Sequence, residues 1–104
     1  MYKDELYDII AVAKKLAKIC ADRAKDAQIK DEYEQVFENL ELAEEDLEKT
    51  NGEENWYIWN AIERHGIATE SKYYGVDGNL SRSWGLKDIK LQDILDTLYD
   101  KTKQ

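Results

Sequence analysis

Carboxylates are the most concentrated chemical groups in this chain of 104 residues. Between Asp31 and Glu48 there are nine acidic side chains and not one basic side chain. A dense set of carboxylates can bind a hard cation such as Mg²⁺, which takes several oxygen ligands, or it can attract a basic surface. Because residues three and four apart are neighbours on a helix, five of these acids are predicted to form one stripe. The stripe consists of Glu34, Glu38, Glu41, Glu45 and Glu48.

This acidic stripe is costly for an isolated helix. Like charges four residues apart, as in Glu34/Glu38 and Glu41/Glu45, each cost a helix roughly 0.2–0.5 kcal/mol. At 1.5 Å per residue the stripe extends over ~21 Å, the length of about six base-pair steps at 3.4 Å each. We therefore predict a partner-binding surface that imitates a row of phosphates and contacts a basic protein surface. The alternative is a solvated face partly neutralised by the first helix, through Lys14, Lys15, Lys18 and Lys25.

Two acidic pairs raise the question of a metal site. Glu41/Glu44 and Asp93/Asp96 have the spacing of the paired acidic motifs in all-helical nucleoside-triphosphate pyrophosphohydrolases, which bind magnesium. Both pairs lie within acid-rich segments, where this spacing arises by chance, and the chain has no Glu-x-x-His pair for a di-iron site. The sequence therefore predicts no metal site, no cofactor and no catalytic residue.

His65 and Cys20 are the only histidine and the only cysteine. We predict that His65 is a cation near the end of a helix, where its charge would stabilise the helix dipole. General base catalysis would need a nucleophile or an orienting partner, and the sequence identifies neither. Cys20 falls on an apolar helix face and is predicted to be a small, buried core residue.

Aromatic and basic residues are interspersed in the segment 64–87. This mixture favours a second hypothesis, a nucleotide or small-ligand site, because aromatic rings stack on bases and Arg binds phosphate. Its candidate residues are Arg64, Lys72, Tyr73, Tyr74, Arg82 and Trp84. We predict that two of the three tryptophans, Trp56, Trp59 and Trp84, complete the core. The alternative is an interface anchor, since Trp, Tyr and Arg dominate binding hot spots.

Four helices are predicted to position these residues, because apolar residues recur at steps of three and four. The predicted ranges are Tyr2 to about Ile29, Asp31 to about Lys49, Glu53 to His65, and Asp88 to Lys101. Residues 67–86 are predicted to be an irregular loop, with a short β-hairpin or a turn of helix as alternatives. The predicted fold class is therefore all-α, a small four-helix assembly in one domain over residues 1–104.

Two local signals set the predicted boundaries of the middle helices. Asp31 followed by Glu34 resembles a capping box, which predicts that the second helix begins there. Thr50-Asn51-Gly52 predicts its end, because Asn and Gly tolerate the left-handed cap conformation. Gly66 is predicted to end the third helix.

The charge distribution narrows the class of partner. The net charge is −8, and residues 31–54 carry eleven acids and one base, a net of −10. This acidity disfavours direct binding to nucleic acid or to anionic membranes. No apolar run approaches ~18 residues, and the start of the chain lacks the basic region of a signal peptide. With a single cysteine no intrachain disulfide can form, so we predict a cytoplasmic protein.

These observations predict a binding protein and not an enzyme. Its character is that of small acidic inhibitors or regulators, such as phage-encoded inhibitors of host defence and immunity proteins. The nucleotide-binding hypothesis on segment 64–87 is the first alternative. The second is a self-associating subunit that forms a homodimer through the small residues of the first helix, Ala13, Ala17, Ala21 and Ala24. The sequence identifies neither the partner nor the oligomeric state.

Overall fold

The computed structural model describes residues 2–50, 54–68 and 89–102, which form four α-helices. The helices are α1 (Tyr2–Arg23), α2 (Ala27–Lys49), α3 (Trp56–Ala68) and α4 (Leu91–Thr102). Helix α1 packs against α2 and α4, and α3 packs against the same two helices, so α1 and α3 lie diagonally. The described residues contain no β-sheet, which confirms the all-α prediction. None of these four helices is long and apolar enough to cross a membrane.

The core is organised around the wide apolar face of α1. Its buried residues are Leu6, Ile9, Ile10, Val12, Ala13, Leu16, Ala17, Cys20 and Ala21. A face of this width has to meet more than one neighbour, and α1 does pack against two helices. Ala13, Ala17 and Ala21 are among its buried residues, so the close approach that small side chains allow is used inside the molecule.

The boundary between the first two helices was predicted wrongly. Helix α1 ends at Arg23 rather than near Ile29, and α2 begins at Ala27, four residues before Asp31. The N-cap is Asp26, whose carboxylate accepts a hydrogen bond of 2.7 Å from the amide of Gln28. An aspartate oxygen satisfies one of the free amides at a helix start, which is the role that we had assigned to Asp31. The predicted end of α2 near Lys49 is confirmed.

At that end, Thr50 has extended backbone geometry, and both its amide and its hydroxyl donate to the carbonyl of Asp46, at 3.0 and 3.1 Å. The left-handed cap predicted for Asn51 and Gly52 lies outside the described residues.

Helix α3 was predicted to begin too early and to end too early. It spans Trp56–Ala68 instead of Glu53 to His65, so Gly66 lies inside the helix and does not end it. A Cβ added at Gly66 would meet nothing within 4 Å, so the surroundings do not require a glycine there. Residues 67 and 68 are therefore helical, and the remainder of the predicted loop 67–86, including the choice between hairpin and helical turn, lies outside the described residues.

Asn55 determines where α3 starts. Its side chain is 3% exposed, and its Oδ1 atom accepts a hydrogen bond of 3.0 Å from the amide of Tyr57. Its Nδ2 atom donates a hydrogen bond of 2.9 Å to the carbonyl of Ala43 in α2. One buried amide therefore caps α3 and joins it to α2, as expected for a buried polar group that keeps its partners.

Helix α4 closes the bundle. Leu91, Ile94, Leu95 and Leu98 are buried, which confirms the predicted apolar face. Near its end, Lys101 forms an ion pair of 2.6 Å with Glu5 at the start of α1. The carbonyl of Thr102 accepts a hydrogen bond of 2.9 Å from the amide of Glu54. The residues immediately before α3 thus contact the last turn of α4.

We predict that Asn55→Ala lowers the free energy of unfolding by about 1–3 kcal/mol, because it removes a cap and a buried hydrogen bond to Ala43. Asn60→Ala on the same helix is the matched control. Asn60 is only partly buried and makes no side-chain hydrogen bond with the described residues, so its replacement should stay within about 0.5 kcal/mol. Urea unfolding of both variants checks this, and equal losses would contradict the role given to Asn55.

Candidate functional site

The predicted acidic stripe lies on the outer face of α2. All five carboxylate residues, Glu34, Glu38, Glu41, Glu45 and Glu48, are exposed. At 100° per residue their mean direction lies roughly 140° from that of the buried residues of α2, which are Tyr33, Val36, Leu40, Ala43 and Leu47. The apolar face of α2 packs inward against α1 and α3, and this packing turns the acidic stripe toward solvent.

Ion pairs neutralise the flanks of α2 but not the stripe. On the α1 side, Lys14 pairs with Glu44 at 3.5 Å, and its Nζ atom lies 5.4 Å from the ring centroid of Phe37. On the α3 side, Arg64 pairs with Glu32 at 3.5 Å. Among the described residues no cation forms an ion pair with any of the five stripe carboxylates. Neutralisation by the first helix is therefore seen at Glu44, which is not part of the stripe, and the five stripe carboxylates remain solvated.

Basic residues near the stripe are few. Helix α2 begins before the predicted Asp31 and ends at Lys49, so it includes both Lys30 and Lys49, which are exposed. Lys18 is exposed on α1, and Lys25 lies in the connection between α1 and α2 rather than in the first helix. Helix α2 carries nine acids against its two bases, so its outer face stays negative.

The negative charge of α2 also affects α1. Tyr7 lies on α1, and its pKa is raised above the ordinary value of 10.0, first by desolvation. The carboxylates of Glu48 and Glu44 raise it further, and Asp4 adds to the effect. An ionised tyrosine is disfavoured there because it would add a like charge to an already negative surface.

The two acidic pairs considered as a metal site are not brought together. Glu41 and Glu44 lie on α2, whereas Asp93 and Asp96 lie on α4, which is diagonal to α2. Glu44 is already paired with Lys14, and Asp96 accepts a hydrogen bond of 2.8 Å from Gln92. Over residues 2–50, 54–68 and 89–102, no group of three or more His, Cys, Asp or Glu side chains is placed to hold a metal ion.

His65 is not the exposed cation that we predicted. It is 3% exposed, inside a helix that continues to Ala68, and its ring centroid lies 5.8 Å from that of Tyr33. Neither ring nitrogen has a hydrogen-bond partner among the residues that the structure describes. Burial lowers its pKa from 6.5 to about 4, and Asp96 opposes this shift. His65 is therefore a neutral core residue, because the apolar surroundings disfavour the charged ring.

Cys20 is the buried core residue that we predicted. It is 2% exposed on the inner face of α1. Burial raises the pKa of its thiol to about 12, against a smaller lowering by Arg23. Since the thiolate is the nucleophilic form, this thiol is unreactive near neutral pH.

Of the six candidate residues for a nucleotide or small-ligand site, the structure describes only Arg64. Arg64 is exposed, pairs with Glu32, and lines a groove of ≈320 Å³ between α2 and α3. The other lining residues of the groove are Gln35, Asn39, Asn60, Glu63 and Ile67. The remaining candidates, Lys72, Tyr73, Tyr74, Arg82 and Trp84, lie outside the described residues.

The prediction that two tryptophans complete the core is wrong for Trp56 and Trp59. Trp56 is 66% exposed and Trp59 is 40% exposed, with ring centroids 5.3 Å apart and a tilt of 34° between the planes. Both line a cavity of ≈130 Å³ together with Glu54, Asn55, Tyr99 and Thr102. Trp56 and Trp59 are close in sequence, whereas Tyr99 lies on a helix that is distant in sequence, so the sequence did not predict that the three rings line one cavity.

Comparisons with known proteins add no relative: no family model, no curated protein and no solved structure matches this chain.

We predict that acidification destabilises the protein through His65. The unfolded chain takes up a proton near pH 6.5 and the folded chain only near pH 4. The contribution of the neutral ring to the free energy of unfolding is therefore fully present above pH 6.5. It is lost progressively as the pH falls to 4. The loss should reach the order of 3 kcal/mol.

His65→Leu is the comparison variant, because it keeps an apolar side chain of similar reach and cannot titrate. Urea unfolding across this pH window should show the wild type losing stability relative to His65→Leu. An unchanged difference between the two proteins would contradict the prediction, and an NMR titration of the ring would give its pKa directly.

Proposed function

We propose that this protein is a binding module and not an enzyme, and that the acidic stripe of α2 binds a basic surface on a partner protein. The observation that carries the proposal is the exposure of all five stripe carboxylates without an ion pair to any described residue. A partner's lysines and arginines would neutralise them. The protein would act as an inhibitor or regulator in the cytoplasm, of the phage anti-defence or immunity-protein type.

The helix supplies the stripe as a rigid, pre-formed surface. Its buried face is held between α1 and α3, so binding needs no further ordering of the backbone. The five carboxylates extend over ~21 Å along the helix, which suits a basic groove that normally holds a nucleic-acid backbone. Such a partner would be reached quickly at low salt, because complementary charge accelerates encounter and added salt screens it.

The stripe also has an apolar neighbour. Leu42 is 40% exposed. It lies on α2 four residues after Glu38 and three before Glu45, so it borders the stripe. An exposed leucine beside carboxylates gives a partner a short-range contact in addition to charge. Interfaces commonly combine an apolar centre with a polar rim, and this arrangement favours a protein partner over a purely ionic one.

The two rival hypotheses stay predictions. A nucleotide or small-ligand site on segment 64–87 has one described residue, Arg64, and that residue is paired with Glu32. A homodimer through α1 would use small residues of which Ala13, Ala17 and Ala21 are buried inside the molecule. Among the residues that the structure describes, neither rival has a set of exposed groups comparable with the acidic stripe.

We predict that neutralising the stripe stabilises the free protein. A variant with all five glutamates replaced by glutamine removes seven like-charge contacts at i,i+3 or i,i+4 and only two opposite-charge contacts, those of Glu34 with Lys30 and of Glu45 with Lys49. The net gain should be about 1–2 kcal/mol. Thermal unfolding at low salt should show the gain, and high salt should reduce it because salt screens the repulsion. A loss of stability would mean that the stripe supports the fold and would contradict its assignment to a partner.

The same variant tests the binding proposal. Immobilised wild-type protein and the five-glutamine variant should be compared for capture of proteins from the native cell. The control variant neutralises five exposed acids elsewhere, Asp8, Asp22, Glu63, Asp93 and Asp100, so both variants carry the same net charge. We expect the stripe variant alone to lose a captured basic protein, because only that variant lacks the charges that bind it.

The captured protein must then be purified and its contact mapped. Amide hydrogen exchange should show protection on α2, the affinity should fall with added salt, and nucleic acid should compete. If both variants lost the captured protein equally, binding would depend only on the net charge and not on the stripe. A footprint away from α2, or affinity without salt dependence, would overturn the proposal.

A further inference from the structure

The cavity of ≈130 Å³ at one end of the bundle has an unusual lining. Three aromatic residues, Trp56, Trp59 and Tyr99, line it together with one acidic residue, Glu54. No lysine or arginine is among its described lining residues. The face of an aromatic ring is partially negative, so it attracts a cation that lies within about 6 Å of the ring centroid. Rings combined with a carboxylate therefore favour a positively charged occupant.

The walls of this cavity are held by buried hydrogen bonds. Asn55 begins α3 and donates to the carbonyl of Ala43, which fixes the helix that carries both tryptophans. The Glu54 amide donates to Thr102, and the hydroxyl of Thr102, which is 2% exposed, donates to the carbonyl of Tyr99 at 2.9 Å. These contacts join the α3 wall to the α4 wall, so the site exists before anything binds.

The backbone at Glu54 is strained in a way that fits a binding site. Among the described residues, Glu54 is the one non-glycine residue with a positive φ, at 34°. Side chains rarely adopt this region, and such strain persists where the surroundings hold it in place. The Glu54 side chain is exposed and has no ion pair with the described residues. Its carboxylate is therefore available to a cation.

We propose that this cavity, lined by Glu54, Trp56, Trp59 and Tyr99, receives the cationic head group of one lysine or arginine side chain from a partner protein. The head group would lie against the tryptophan rings, and Glu54 would supply the opposite charge. Arginine stacks on aromatic planes, and the long stem of either side chain packs against apolar surface.

The size of the cavity matches one side-chain head group. A cavity of about 150 Å³ accepts a benzene-sized molecule, and this one has a volume of ≈130 Å³. A neighbouring depression of ≈350 Å³ is also lined by Glu54 and Trp56. That space allows the occupant's stem and backbone to continue out of the cavity, as a side chain of a larger partner requires.

This inference goes beyond the acidic stripe and can be tested without it. The stripe lies on the outer face of α2, whereas the cavity is formed by the start of α3 and the end of α4. A basic partner could contact both surfaces, but the cavity should bind small cationic probes by itself. Failure of one proposal therefore leaves the other intact.

The test is an NMR titration of the full chain at constant ionic strength, observing the indole N–H signals of Trp56 and Trp59. The probes are N-acetyl-lysine methylamide and N-acetyl-arginine methylamide, with the citrulline analogue as the neutral match for arginine. We expect both cationic probes to shift the two indole signals to saturation, and citrulline to leave them nearly unchanged. Trp59→Ala should abolish the response while circular dichroism stays helical, because the ring is 40% exposed.

A matched pair of charge variants identifies the acidic group. Glu54→Gln should weaken probe binding at least threefold, because it removes the carboxylate at the cavity. Glu63→Gln removes an exposed charge from the same helix outside the cavity lining, and it should change binding less than twofold. Equal effects of the two variants would mean that only the general negative field attracts the probe.

Three other results would overturn the proposal. Equal shifts with citrulline would show an apolar pocket without preference for charge. Binding of choline in the absence of lysine and arginine binding would make the occupant a free small cation. Indole shifts that follow protein concentration without any probe would show that a second copy of this chain occupies the cavity.

Discussion

The hydrogen bonds of Glu54 and Asn55 join three helices at one end of the bundle. The buried amide of Asn55 connects the start of α3 to Ala43 in α2, and the amide of Glu54 connects it to Thr102 at the end of α4. A buried amide that loses its partners costs free energy, so this junction fixes how α3 is oriented. The acidic stripe and the aromatic cavity both depend on this junction, since α3 covers one flank of α2 and carries the two tryptophans that line the cavity with Tyr99.

The distribution of charge follows from the same packing. Helix α2 buries one apolar side and has helices on both flanks, so its acids occupy three different environments. Glu44 and Glu32 face α1 and α3 and are paired there with Lys14 and Arg64. The outward carboxylates receive no such partner from the described residues and are exposed. The unpaired acids therefore coincide with the side of α2 that its described neighbours leave uncovered, and the binding proposal depends on this coincidence.

The sequence predicted the helices well and their ends less well. The spacing of apolar residues by three and four positions identified the buried sides of α2 and α4, because burying one side of a helix requires apolar residues at that period. The break after Arg23 was missed because Ala24, Ala27 and Ile29 continue the apolar period of α1 across it. The predicted helix end at Gly66 was wrong because a helix interior can tolerate a glycine. The predicted exposure of His65 was wrong because tertiary packing, and not the local sequence, decides whether a histidine is buried. The exposed position of the stripe was predicted because it depends on one helix, whereas the aromatic cavity depends on two helices distant in sequence.

The two surfaces differ in range, and this difference decides what each can contribute to recognition. Charge on the stripe acts over about a Debye length, ~8–10 Å at physiological salt, and has little directional preference. It can therefore bring a basic partner close without fixing its position. The cavity acts only at contact and admits one head group, so it can fix the register of a partner but cannot attract one from a distance. A binding protein that uses both would associate quickly through α2 and gain its specificity at the junction of α3 and α4, where the hydrogen bonds of Glu54 and Asn55 join the helices.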